Sequence, residues 1–253
     1  MSRTLADVAA EAAGCTKCRL AQGRTQVVFG VGNPTADVLF IGEAPGFHED
    51  KQGEPFVGAA GQLLTKVLGD VLGLERADVY ICNILKCRPP GNRDPQEDEI
   101  ESCTPWLIEQ VSLIQPQVIV TLGNFATKFV LQTQQGITRM RGRAYAWHGR
   151  TVIPTFHPAA ILHGGGEKSR QFAELREDFE LVRDTLVPTR AAPADEPAPT
   201  KEPAPTKKPA PTKEPALLVE SAPPPAPPSP TTEEPVRVPD AEERAPEEQL
   251  ELF

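Results

Sequence analysis

The sequence predicts an α/β protein: three α/β/α layers around a central, mostly parallel sheet, with a disordered C-terminal tail. Two observations carry this. Short, β-branched apolar runs alternate with longer amphipathic segments as far as Leu186, the pattern of strands and helices wound about one sheet. The composition then changes abruptly. Eighteen of the 28 prolines lie from Pro188 onward, in a stretch without cysteine, histidine, tryptophan or tyrosine. Such a stretch cannot bury enough apolar surface to offset its ordering entropy. Residues 1–187 therefore read as one globular domain, 188–248 as a disordered, proline-rich acidic linker, and 249–253 as a separate terminal peptide.

Taken in chain order, Met1 to Gly14 reads as an amphipathic helix. The strand candidates are Val38 to Ile41, Val79 to Leu85, Val118 to Leu122 and Thr151 to Thr155, each short, β-branched and bounded by turn residues. Gly61 to Leu72, Pro95 to Leu113, Asn124 to Gln132 and Lys168 to Leu186 read as helices. Asp94, Pro95 and Glu97 form a capping-box start, and Thr104-Pro105 predicts a restart or kink just after Cys103. In sheets of this kind ligands gather beyond the carboxyl ends of the strands. Three segments that look chemical fall there: Gly42 to Gly46 after the first run, Asn83 with Lys86 to Arg93 around the second, and His157 after the last. From Glu196 the tail repeats E-P-A-P-T-K, a composition that favours an extended tether.

The formal charge of −9 does not exclude a nucleic-acid partner, because the tail holds 13 acidic and 7 basic residues and the domain is close to neutral. Candidate basic clusters are Lys86, Arg88 and Arg93; Arg139, Arg141 and Arg143; and Lys168 with Arg170. No apolar stretch is long enough to span a bilayer, and the first residues lack the basic-apolar-small pattern of a signal peptide. The expected location is the cytoplasm, where disulfides are disfavoured and five cysteines call for metal or redox chemistry. Cys15 and Cys18 form a C-x-x-C pair, and Cys87 and Cys103 could complete a four-thiolate clamp. The spacing suits zinc or an iron-sulfur cluster and does not choose between them. Cys82, alternating within an apolar strand, reads as a small buried residue.

Several motifs in one order resemble the family 4 uracil-DNA glycosylases, the iron-sulfur branch of that superfamily. They are the cysteine order, Gly42-Glu43-Ala44-Pro45-Gly46, Glu49-Asp50, Gly53-Glu54-Pro55-Phe56-Val57-Gly58, Asn83-Ile84-Leu85-Lys86-Cys87-Arg88-Pro89-Pro90 and His157-Pro158. The resemblance implies a uracil-DNA glycosylase-like fold, hydrolysis of the N-glycosidic bond of uracil in DNA, and a [4Fe-4S] cluster on Cys15, Cys18, Cys87 and Cys103. It further implies a pocket for a flipped-out uracil that includes Gly42, with Phe56 as stacking platform, Asn83 as edge reader and His157 as donor toward uracil O2. Glu43 and Glu49 are the carboxylates left to orient water or face the cationic sugar, since the aspartate of the best-known branch is replaced by Ala44. Ile161 or Leu162 is expected as the wedge that holds the DNA open. The chain from Asn83 to Cys103 lacks the histidine-bearing insertion of a covalently bonding relative, so turnover is expected. The competing expectation is a non-catalytic module that binds DNA or recruits a polymerase.

Gln249-Leu250-Glu251-Leu252-Phe253 resembles the Q-L-x-L-F peptide by which bacterial repair proteins grip the DNA sliding clamp. Gln249, Leu250, Leu252 and Phe253 would be the anchors, on a tether that leaves the catalytic domain free to search. The expected partners are uracil-containing DNA, single- or double-stranded, and the clamp, with the protein itself a monomer.

Overall fold

The computed structural model describes residues 3–186. A six-stranded sheet is built from β1 (Val31–Gly32), β2 (Val38–Gly42), β3 (Tyr80–Asn83), β4 (Val118–Leu122), β5 (Tyr145–Trp147) and β6 (Arg150–Thr155), in the order β1-β3-β2-β4-β6-β5. The four central strands are parallel, and β1 and β5 pair antiparallel at the two edges. The α/β fold class predicted by the sequence is thus the observed one.

The helices are α1 (Leu5–Ala13), α2 (Phe47–Gln52), α3 (Ala59–Val67), α4 (Glu97–Ile114), α5 (Gly123–Leu131), α6 (Ile137–Met140), α7 (Pro158–His163) and α8 (Arg170–Thr185). Strand β2 shows why the sheet has two covered faces. Its side chains alternate, so Val38 and Phe40 join one core with Leu64 of α3 and Phe172, Leu175 and Phe179 of α8. Leu39 and Ile41 join another with Leu107 and Val111 of α4 and Val130 of α5. All five β2 residues are buried, which is why the run reads as continuously apolar. A third, smaller core lies away from the sheet, where Val8 and Ala12 of α1 pack with Leu85, Cys87, Cys103 and Trp106.

Sequence and structure differ at particular places. Helix α4 starts at Glu97 with Gln96 as its cap, two residues beyond the expected Asp94 start. The Glu99 carboxylate accepts from the Gln96 amide at 3.0 Å and from the Arg93 guanidinium at 2.5 and 2.9 Å, which fixes the capping box at Gln96. The same helix runs on through Pro105. Burial of Cys103, Trp106, Leu107, Gln110 and Val111 on its inner face outweighs the lost backbone hydrogen bond. The expected helix from Gly61 divides into α3 and a wide turn at Leu68–Leu72. The edge strands β1 and β5, of two and three residues, are too short to leave a periodic signal.

The basic clusters are also redistributed. Lys86 is 1 % exposed, Arg93 pairs with the fully buried Glu99, and Arg141 pairs with the buried Asp178, which also accepts from Thr155. These three cations hold the fold together. Arg139, Arg143, Lys168 and Arg170 stay exposed, and Arg88 is half-buried.

Candidate active site

The four parallel strands end at one edge of the sheet, and each delivers a residue there. Gly42 closes β2 and pairs in register with Asn83, which closes β3; Leu122 of β4 pairs with Thr155 of β6. Chain order reverses across β2, with β3 on one side and β4 on the other, so this edge is a topological switch point.

Gly42 brings two of the expected residues together. A Cβ placed on it would lie 2.3 Å from Asn83 Oδ1 and 2.6 Å from Phe56 Cζ. Only glycine lets the amide and the ring approach the end of β2 so closely. Phe56 sits at φ +54°, a left-handed conformation that costs a non-glycine residue about 1–3 kcal/mol. Three contacts hold it there. A Cβ on Gly61 of α3 would lie 1.7 Å from the Phe56 carbonyl oxygen, so the backbone packs directly on that helix. Arg76 donates to the carbonyls of Phe56 and Pro55 at 3.2 and 2.8 Å. Glu49 Oε1 accepts from the amides of Val57 and Gly58 at 3.0 and 3.1 Å.

His157 caps α7 and faces Phe56, with ring centroids 5.5 Å apart and planes inclined by 30°. Its Nδ1 accepts from the Ala159 amide at 3.1 Å. In the neutral ring the proton therefore sits on Nε2, which is left as a donor. Burial lowers the His157 pKa to about 4, against the opposing pull of the nearby Glu49 carboxylate. The ring is thus neutral at physiological pH. Gly123, at φ +91° at the start of α5, gives the His157 side chain room, since a Cβ there would stand 2.9 Å from that of His157.

Asn83 is 2 % exposed and its Oδ1 has no hydrogen-bond partner. Leaving such an acceptor unpaired costs about 1–3 kcal/mol, so the site awaits a donor. Its backbone carbonyl accepts from Lys86 Nζ at 2.6 Å, and the same ammonium donates to Gln110 Oε1 at 2.5 Å. The Glu43 backbone carbonyl accepts from the Leu85 amide at 3.0 Å. Burial, aided by Asp94, raises the pKa of the Glu43 carboxyl.

The two wedge expectations separate. Ile161 is 0 % exposed and packs into the core, whereas Leu162 is 41 % exposed. The four expected clamp anchors, Gln249, Leu250, Leu252 and Phe253, lie outside the described residues, as does the linker 188–248.

The metal expectation is corrected. Cys15, Cys18, Cys87 and Cys103 do line one cavity, with Lys17, Arg24, Lys86 and Trp106. Yet among the described residues no group of three or more histidine, cysteine, aspartate or glutamate side chains is placed to hold a metal ion, and the [4Fe-4S] assignment falls with that. The cysteines are free thiols here. Cys103 Sγ accepts from the Lys86 amide at 3.2 Å and Cys87 Sγ from Arg24 at 3.4 Å. Burial pushes the Cys103 thiol up to about 11 and raises that of Cys87. The spacing correctly brought the four to one corner, but spacing says nothing of how the sulfurs are directed.

Arg76, Gly61 and Gly123 escaped the sequence reading as parts of the site, and Lys86, expected there as a surface cation, is instead buried. Gly61, a glycine in an otherwise good helical pattern, was the one detectable signal of a close backbone approach.

Comparison with known proteins agrees with this geometry. Residues 29–180 match the family model of the uracil DNA glycosylase superfamily. A type-4 uracil-DNA glycosylase of Sulfurisphaera tokodaii is 45 % identical over 192 residues, covering 73 % of this chain and 86 % of the relative. Type-4 enzymes of Archaeoglobus fulgidus and Thermotoga maritima are each 45 % identical, over 70 % and 68 % of this chain and 88 % and 89 % of theirs. The chain belongs to the uracil DNA glycosylase superfamily, in its type-4 branch.

Proposed function

We propose that this chain is a monofunctional uracil-DNA glycosylase: it hydrolyses the N-glycosidic bond of uracil in DNA and leaves an abasic site, the first step of base-excision repair. The observation that carries this reading is the unpartnered, buried Oδ1 of Asn83, set against Phe56 at the strand ends, where the His157 ring also meets Phe56.

A base within a duplex is out of reach, so the nucleotide is extruded and read at its Watson-Crick edge. Phe56 stacks on the flipped ring. Asn83 Oδ1 accepts from uracil N3–H and its amide nitrogen donates to O4; cytosine presents the reversed pattern and leaves both groups unsatisfied. As the bond breaks, negative charge develops on the departing base, and the Nε2–H of His157 donates toward O2. A neutral imidazole held in one tautomer performs this without a proton transfer. The Glu49 charge faces the cationic sugar while its Oε1 holds the loop after Phe56, and Glu43 orients the attacking water. Leu162 is the wedge, a role its exposure supports.

The substrate is DNA, single- or double-stranded, bound by a monomer working in the cytoplasm, with turnover and no lasting covalent bond. Among the described residues no helix is long and apolar enough to cross a membrane. The terminal Gln249, Leu250, Leu252 and Phe253 bind the sliding clamp, a reading supported by their sequence alone.

An oligonucleotide with one uracil tests the reading: the folded chain should generate an alkali-labile site there and none at thymine. Asn83→Asp, in which an acceptor replaces the amide donor, should lose most uracil excision and gain measurable cytosine excision, a shift of about 1–3 kcal/mol in base preference. Absence of the alkali-labile site with the parent protein would exclude the glycosylase and leave a DNA-binding module.

A further inference from the structure

The large hydrophobic side chains exposed among the described residues are Phe47, at 50 %, and Leu162, at 41 %. They do not lie on scattered surfaces. Leu162 belongs to α7, directly behind His157, and Phe47 begins α2, directly behind the Gly42–Gly46 loop and two residues before Glu49. Both therefore stand at the strand edge where Gly42, Asn83, Phe56 and His157 meet, one past β2 and the other past β6. Two large apolar side chains exposed at one such edge offer a contact surface beside the expected site.

The surroundings of Phe47 indicate what does. The Arg88 guanidinium lies 5.1 Å from its ring centroid, Lys51 Nζ lies 5.5 Å from it, and the His48 ring meets it edge-on at 5.5 Å. Arg88 is itself braced by a 2.7 Å hydrogen bond from Nε to Asn92 Oδ1. A half-exposed ring with two cations lying over it has the composition of a single-strand binding site: the exposed part of the ring takes a base and the cations meet the adjoining phosphates. Phe56, 6 % exposed, is already assigned to the extruded uracil itself.

Resting on the glycosylase reading above, we propose that Phe47, flanked by Arg88 and Lys51, stacks on the nucleobase next to the extruded uridine in the same strand. The splayed strand is then gripped on both sides of the flipped nucleotide, by Phe47 at one end and Leu162 at the other. Extrusion removes the stacking partner of that neighbouring base, and the Phe47 ring replaces it. Both contacts are independent of base identity, since every base offers a π face.

The test uses the full chain and a single-stranded oligonucleotide carrying a tetrahydrofuran abasic analogue, with 5-iodocytosine placed immediately 5′ or 3′ of it. Irradiation should crosslink one of these two positions to Phe47, as mapped by mass spectrometry. Phe47→Ala should weaken binding roughly five- to a hundredfold, Phe47→Leu nearly as much, and Phe47→Trp little. Crosslinks confined to other residues, or equal affinity of the alanine and tryptophan variants, would overturn the proposal. Uracil excision by the parent chain reads out the underlying activity separately, so a failed platform and a failed glycosylase give different results.

Discussion

Replacing Gly42 by alanine adds one methyl group at the point where Asn83 and Phe56, the proposed edge reader and stacking platform, meet. Carbon atoms in contact sit about 3.5 Å apart at their optimum, whereas the added Cβ would begin 2.6 Å from Phe56 Cζ and 2.3 Å from Asn83 Oδ1. Relief requires a movement of roughly 1 Å. The Phe56 backbone is pinned by Gly61, Arg76 and Glu49, and Asn83 is the last residue of a central strand, so the shift falls on the two side chains proposed to hold the base. A displacement of that size in a positioning group lowers kcat/KM on the order of a hundredfold. The strain also lowers stability by about 1–3 kcal/mol. Steady-state excision on a uracil oligonucleotide, with denaturant unfolding alongside, measures both. Gly69→Ala is the matched control, because nothing lies within 4 Å of its added Cβ. Gly42→Ala activity within twofold of the parent, with stability unchanged, would refute the claim that Phe56 and Asn83 meet at Gly42.

Three further outcomes follow from the geometry. His157 has a folded-state pKa of about 4, below its ordinary value of 6.5, so the unfolded chain binds the extra proton first. Its contribution to stability is complete above about pH 6.5 and is lost as pH falls toward 4; a melting-temperature series should show this decline, reduced in His157→Gln. Arg93→Met leaves the buried Glu99 carboxylate with only the Gln96 amide and Arg19 at 3.8 Å, and should lower unfolding free energy by about 1–2 kcal/mol, measured in urea. Arg76→Met frees the Pro55 and Phe56 carbonyls and should lower kcat/KM by roughly tenfold, with Arg76→Lys recovering part of it.

The sequence by itself determined the elements whose cause is local. Val38 to Ile41 and Val118 to Leu122 are short β-branched runs between turns, and they became the central strands because alternation and burial act on neighbouring residues. Gly42, Asn83 and His157 were placed at strand ends by the same logic, and the structure brings Gly42, Asn83 and Phe56 into contact, with His157 against Phe56. Tertiary structure decided what depends on partners far along the chain. The cap of α4 moved to Gln96 because Arg93 and Glu99 lock there. Lys86 left the basic surface for the interior because Gln110, 24 positions away, and the Asn83 carbonyl accept its protons. Ile161 turned into the core while Leu162, its neighbour on α7, turned outward, a choice of face made by packing. The cysteines show the limit most plainly: spacing could bring four sulfurs to one corner, but the hydrogen bonds of Cys103 to the Lys86 amide and of Cys87 to Arg24, and the burial of those two, are properties of the folded surroundings.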